Sequence, residues 1–153
     1  MVEIYTDGSS IGNPGPGGYG IVMQWKGKKY KKEFYSGYRY TTNNRMELLA
    51  VIKALEKLKK INQEVVVFSD SKYVIDAVEK KWVFKWRKDK FKGKKNSDLW
   101  KKFLKLFEIH NIKFKWVKAH NNHPQNERCD FLANSAAKGD NLIIDKNFEN
   151  NIV

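Results

Sequence analysis

The chain is poor in acids, in cysteine and in long apolar stretches, and each shortage closes off a class of function. One cysteine, Cys129, stands among 153 residues. It cannot form an internal disulfide, which excludes a disulfide-stapled scaffold and fits a reducing compartment. No uncharged apolar run approaches the roughly 20 residues needed to cross a bilayer. The opening Met1-Val2-Glu3-Ile4-Tyr5-Thr6-Asp7 has no basic leader ahead of an apolar stretch, so no signal peptide is expected. These absences predict a soluble, cytoplasmic protein without a membrane partner. Cysteine and histidine nowhere take the spacing of a zinc site. The shortage of acid matters most: 17 Asp and Glu face 30 Lys and Arg, for a formal net charge of +13. Such a field draws polyanions, nucleic acid above all. A lysine-rich surface serving solubility accounts for the bare charge equally well.

What is present suffices for one core. Forty-one per cent of the chain is hydrophobic and 14% aromatic, and a domain this long buries roughly 68–70% of its unfolded surface. No repeat or linker divides it, so residues 1–153 read as a single domain, with monomer as the default state. Val2, Ile4 and Thr6 alternate with Glu3, Tyr5 and Asp7, a strand pattern. After the turn formers of 12–18, apolar residues at 19–25 and a returning run at 30–35 make three antiparallel strands. Thr41 and Thr42 offer caps for a helix over 43–60, with Leu48, Val51, Ile52, Leu55 and Leu58 on one face. Residues 65–68 read as a buried strand and Ser71 as the cap of a second helix. Helices over 98–109 and 126–138 flank a strand at 113–117, and Gly139 stops the last helix. The order predicts an α/β fold: a five-stranded mixed sheet, three antiparallel strands then two parallel ones, flanked by helices. The tail at 140–153 has no placement.

Four acids hold unusual positions. Asp7 and Asp70 close strands, where side chains of layered α/β folds project into a crevice. Glu47 and Asp130 lie early in helices and abut apolar stripes. Each alone has a bland reading as a turn, a cap or a partner of the helix macrodipole. Together, in so basic a protein, a convergent cluster of like charges is costly without a cation. Ligation by carboxylates alone suits Mg²⁺ or Mn²⁺.

Residues 80–95 interleave cations with aromatic rings, including Trp82, Lys85, Trp86, Lys92, Lys94 and Lys95. Cations meet phosphates, and rings stack on sugars or bases. The alternative is a solvated helix whose Trp82 and Trp86, four apart, dock on the core. Both hold if one ring is core and the other exposed.

Six motifs follow one another along the chain: Tyr5-Thr6-Asp7-Gly8-Ser9, the glycine-rich run at 12–18, Thr41-Thr42-Asn43-Asn44-Arg45-Met46-Glu47-Leu48, Ser69-Asp70-Ser71, Val117-Lys118-Ala119-His120, and the stretch from His123 to Asp130. They carry a resemblance to ribonuclease H type 1. It covers residues 1–139 and implies a ribonuclease H-like fold and endonucleolytic cleavage of the RNA strand of RNA–DNA hybrids. It implies that Asp7, Glu47, Asp70 and Asp130 hold two Mg²⁺ ions, Mn²⁺ being able to substitute. His120 then assists proton movement or product release. It implies minor-groove contacts from Ser10, Asn13, Asn43 and Asn44, a deoxyribose contact from Trp82, and a DNA-phosphate pocket including Thr42, with residues 80–100 as the substrate handle. There are departures. Lys85 stands where the family often has Asn in that pocket, Ala119 where Gly usually precedes the histidine, and Lys72 where Gln is usual. Asp7 is the expected bridging ligand. The family further implies products with 5′-phosphate and 3′-hydroxyl ends. His123 and His110 read as structural. A DNA-cutting relative on the same fold and a non-catalytic hybrid-binding module are the competing readings.

Overall fold

The computed structural model describes residues 1–119 and 121–153. Strands β1 (Val2–Ser10), β2 (Gly15–Trp25) and β3 (Lys31–Thr41) form an antiparallel meander. Helix α1 (Asn43–Glu56) leads to β4 (Glu64–Ser69), which lies parallel to β1. Helices α2 (Lys72–Glu79), α3 (Trp82–Lys88) and α4 (Ser97–Ile109) precede β5 (Asn111–Trp116), parallel to β4. Helix α5 (Pro124–Ala137) follows, then β6 (Leu142–Ile143) and α6 (Lys146–Glu149).

The sheet has six strands in the order β5-β4-β1-β2-β3-β6, one more than the sequence predicts. The sixth is two residues long and pairs with Gly37 and Tyr38 of β3. So short a strand has no alternation to announce it. The mixed antiparallel-then-parallel arrangement is as expected.

Pleating splits the core between the two faces of the sheet. Ile4, Ile21 and Met23 point into the larger cluster, with Leu48, Val51 and Ile52 of α1 and Trp100 and Phe103 of α4. Tyr5 and Val22, one residue out of phase, point the other way and meet Cys129 and Leu132 of α5. Close approach of α5 depends on Gly20, where any Cβ would collide with the Cys129 carbonyl. Cys129 is fully buried and its Sγ donates to the Tyr5 carbonyl at 3.2 Å.

Helix ends follow their caps. Thr42 Oγ1 accepts from the Arg45 N–H at 3.2 Å and starts α1. That helix stops at Glu56 rather than at residue 60, because after Leu55 the buried stripe gives out and Asn62 turns left-handed at φ 57°. Helix α5 begins two residues earlier than expected. His123 Nδ1 accepts from the Asn126 N–H at 3.3 Å, and Pro124 occupies the first turn, where its missing N–H costs nothing. Among the described residues no helix is long and apolar enough to cross a membrane.

Candidate active site

Three of the four acids converge. Asp7 lies inside β1 opposite Gly20, since the strand runs on to Ser10. Asp70 follows the last residue of β4, the adjacent parallel strand. Glu47 comes from the second turn of α1, which lies across β1. One oxygen from each lies within 4.8 Å of the others. Asp7 and Glu47 are buried, and Asp70 is partly so. Asp130 on α5 stands outside this trio, and its Oδ1 accepts from Asn134 Nδ2 at 3.1 Å. Its charge still reaches the trio, raising Asp7 and Asp70.

Two backbone features hold the cluster. The Gly8 N–H donates to Asp7 Oδ1 at 2.9 Å and to Glu47 Oε1 at 2.6 Å. A Cβ at Gly8 would run into the backbone of Met46 and Glu47, so only glycine lets α1 come this near β1. The Asp70 carbonyl accepts from Trp116 Nε1 at 3.3 Å, and Lys72 Nζ sits 4.1 Å from the centre of that ring.

The electrostatics are those of crowded, dehydrated like charges. Burial, then the neighbouring Asp70, push Asp7 up to about 8, against hydrogen bonding from Glu47 and Gly8. Burial, with Asp7 and Asp70 beside it, raises Glu47 well above the usual carboxylate range. Burial also raises Asp70, while hydrogen bonding from Asp7 and Asn126 opposes it. The cluster is all oxygen, with no thiol or imidazole among the described residues, which fits a hard divalent cation. Such a cation would offset the repulsion that now favours protons.

The other sequence-derived residues fall into three groups. Ser10 ends β1, Asn13 lies in the β1–β2 loop, Thr42 caps α1, and Asn43 and Asn44 open it. Asn13 and Asn44 are exposed, and Asn13 Oδ1 accepts from the Asn43 N–H at 3.0 Å, tying the β1–β2 loop to the helix. In the handle, Trp82 is 39% exposed while Trp86 turns inward, edge-on to buried Trp100 at 5.9 Å. Lys85, Lys92, Lys94 and Lys95 are exposed, and Lys94 Nζ lies 5.3 Å from the Trp86 ring centre. His120 lies outside the described residues.

Sequence reasoning missed Gly8, Asn126 and Arg45. Asn126 is buried, and its side-chain oxygen has no hydrogen-bond partner among the described residues. Arg45 is 2% exposed inside the first turn of α1, where the macrodipole disfavours a cation, and that misplacement was its signal.

The family model for RNase H matches residues 1–138. A ribonuclease H of Desulforamulus reducens is 54% identical over 149 residues, covering 94% of this chain and 92% of that protein. Among solved structures, LC9-RNase H1, a type 1 RNase H with the type 2 active-site motif, is 32% identical with a TM-score of 0.80, over 89% of this chain and 71% of its own. LC11-RNase H1, solved in complex with an RNA/DNA hybrid, is 29% identical with a TM-score of 0.68, over 90% of this chain and 96% of its own.

Proposed function

The chain belongs to the ribonuclease H family of endoribonuclease hydrolases, and from that premise we propose that it cuts the RNA strand of RNA–DNA hybrids, leaving 5′-phosphate and 3′-hydroxyl ends. The observation that carries the reading is the trio of Asp7, Glu47 and Asp70, mutually repelling oxygens held together in a protein of net charge +13. Burying them has no structural reward, because among the described residues no cation pairs with them. They and Asp130 are the residues that would hold two Mg²⁺ ions, or Mn²⁺ in their place. Mg²⁺, when bound, supplies a lowered pKa for the attacking water and neutralises charge on the leaving 3′ oxygen.

The chain's own groups do the rest. Asp7, grouped with Glu47 and Asp70, would be the ligand shared by the two cations. Gly8 fixes two of the carboxylates through its N–H. Ser10, Asn13, Asn43 and Asn44 read 2′-hydroxyls in the wide minor groove of an RNA-containing duplex. Asn13 has its oxygen committed to Asn43, so its amide N–H group is what it offers. Exposed Trp82 presents a flat face to deoxyribose and rejects a second 2′-hydroxyl. Thr42 and Lys85 take a DNA phosphate, Lys85 as a point charge. Lys92, Lys94 and Lys95 hold further phosphates, and Trp86, mostly committed to the core, stiffens the handle. His120 carries a proton or eases product release. The protein works as a cytoplasmic monomer.

The test is a Mg²⁺ titration of cleavage on three labelled duplexes: hybrid, DNA and RNA. Cleavage of the hybrid alone, abolished by chelator, is the expected result. Equal cutting of duplex DNA, or hybrid cutting that survives chelation, overturns the reading.

A further inference from the structure

The segment after α5, which no sequence pattern placed, forms a strap. Its β6 joins β3, Phe148 packs on Tyr40 at 5.6 Å, and Glu149 makes a two-oxygen pair with Arg39 at 2.8 to 3.2 Å. Between them Asp145, 8% exposed, reaches inward. Its Oδ2 accepts from Thr41 Oγ1 and from Arg45 Nε, each at 2.8 Å, and its Oδ1 accepts from Arg45 Nη2 at 2.9 Å. Asp145 therefore grips the chain on both sides of Thr42, Asn43 and Asn44.

Arg45 carries the grip onward. Its remaining N–H groups reach Asp98, at 2.9 Å twice, and Asn96 Oδ1 at 3.2 Å. All five guanidinium donors are then used. Asn96 and Asp98 stand where the handle loop rejoins α4. Asn96 Nδ2 and Trp100 Nε1 both donate to the Tyr73 hydroxyl, at 2.9 and 3.0 Å, and Trp100 supports Trp86 of the handle. From the strap, Asn147 Nδ2 adds a bond of 3.0 Å to Asp98. One buried guanidinium thus fastens the α1 contact segment, the root of the handle and the strap to each other.

We propose that Asp145, acting through Arg45, is a positioning residue that fixes the spacing between the Thr42–Asn44 segment and the basic handle, so that one hybrid engages both at once. The proposal rests on the hybrid reading above. Two contact regions on one duplex bind as a linked pair only while their separation matches the duplex. Loosening the bolt weakens that match. It leaves the carboxylates alone, because Glu47 has its own anchor in the Gly8 N–H. The signature is therefore a change in KM, with kcat preserved.

The experiment compares the wild-type chain with Asp145→Asn, Asp145→Glu and Asn147→Ala, assayed well below the melting temperature of each. Asp145→Asn should raise KM for a hybrid about tenfold with kcat within about twofold, and Asp145→Glu should recover part of the loss. Asn147→Ala, which removes a single bond at the edge of the network, should raise KM by about twofold to threefold. A folded Asp145→Asn with unchanged KM, or a fall in kcat at constant KM, overturns the proposal. If Asp145→Asn does not fold, an unchanged KM in Asn147→Ala does so. Anisotropy of a labelled hybrid in chelator measures affinity without cleavage. A wild-type chain that binds in chelator but does not cut once Mg²⁺ is supplied in excess sinks the nuclease reading, whereas equal affinity in wild type and a folded Asp145→Asn sinks the positioning role by itself.

Discussion

Helix α1 carries two buried ionic residues two positions apart, Arg45 and Glu47, and the chain treats them in opposite ways. Arg45 is matched donor for donor by Asp98, Asp145 and Asn96. Burial alone would lower it, but the two aspartates outweigh that and raise it above its ordinary value. Glu47 faces Asp7 and Asp70, which add to the strain of burial instead of relieving it. Buried charges that are paired and hydrogen-bonded serve architecture. Buried charges left to repel one another are held in readiness for something from outside. The difference separates what keeps this molecule folded from what it folds for, although the two lie two residues apart on one helix.

The largest expected effect breaks the repelling side. Asp7→Asn or Asp70→Asn should lower kcat on hybrid by on the order of 10³-fold, the loss of several kcal/mol of charge stabilisation, with affinity for the hybrid retained. In chelator the same variants should melt above the wild type, because a repulsion has been removed. Retained turnover, or a lower melting temperature in both, would contradict the contrast. Arg45→Ala breaks the matched side. Removing one partner from a buried ion network costs about 3–5 kcal/mol, measurable as a shifted urea midpoint. A shift near zero would mean the network adds no stability.

Next in size is pH. The folded pKa of Asp7, about 8, lies above its ordinary 3.8, so the folded state holds the proton more tightly. That contribution to stability is fully present below about pH 4 and is lost as pH rises through 8. In chelator the melting temperature should therefore fall across this window, and Asp7→Asn should flatten the fall. Added Mg²⁺ should stabilise more at high pH than at low. Asp98 runs the other way. Burial raises it, but hydrogen bonds from Arg45 and Asn147 prevail and hold it below 3.8. Its contribution is present above pH 3.8 and is lost as pH falls. Parallel pH profiles for Asp7→Asn and Asp98→Asn would erase the distinction. The smallest effect extends the comparison to exposed charge, which remains solvated without a partner. Neutralising Lys92, Lys94 and Lys95 together should flatten the slope of log KM against log salt by about 3 without changing kcat. An unaltered slope would remove them from the phosphate contacts.

Residues whose role is written in their local pattern were legible in the sequence. Thr42 caps α1 and Ser71 caps α2, with Ser71 Oγ accepting from the Val74 N–H at 3.2 Å. The acids at strand ends and helix starts were conspicuous because they stood beside apolar runs. Asp130 was read as an equal member, yet it lies outside the 4.8 Å group, and no spacing along a helix reports a distance to another element. Arg45 is one base among 30, marked only by a motif and by its place in the first turn of a helix. Its meaning depends on Asp145, a hundred residues away, in a strap whose strand is too short to alternate. Gly8 was legible as part of a motif, but its reason, the passage of α1 over its missing Cβ, belongs to the packed structure.

The placement of Cys129 has a practical consequence. Its thiol is sealed beneath α5, and burial, with Asp7 nearby, raises its pKa, so little nucleophilic thiolate forms at neutral pH. A maleimide dye will therefore pass over it and react with a cysteine introduced on the handle, at Lys94 for example. The protein can be labelled for single-molecule work on its natural background, without first deleting its own sulfhydryl.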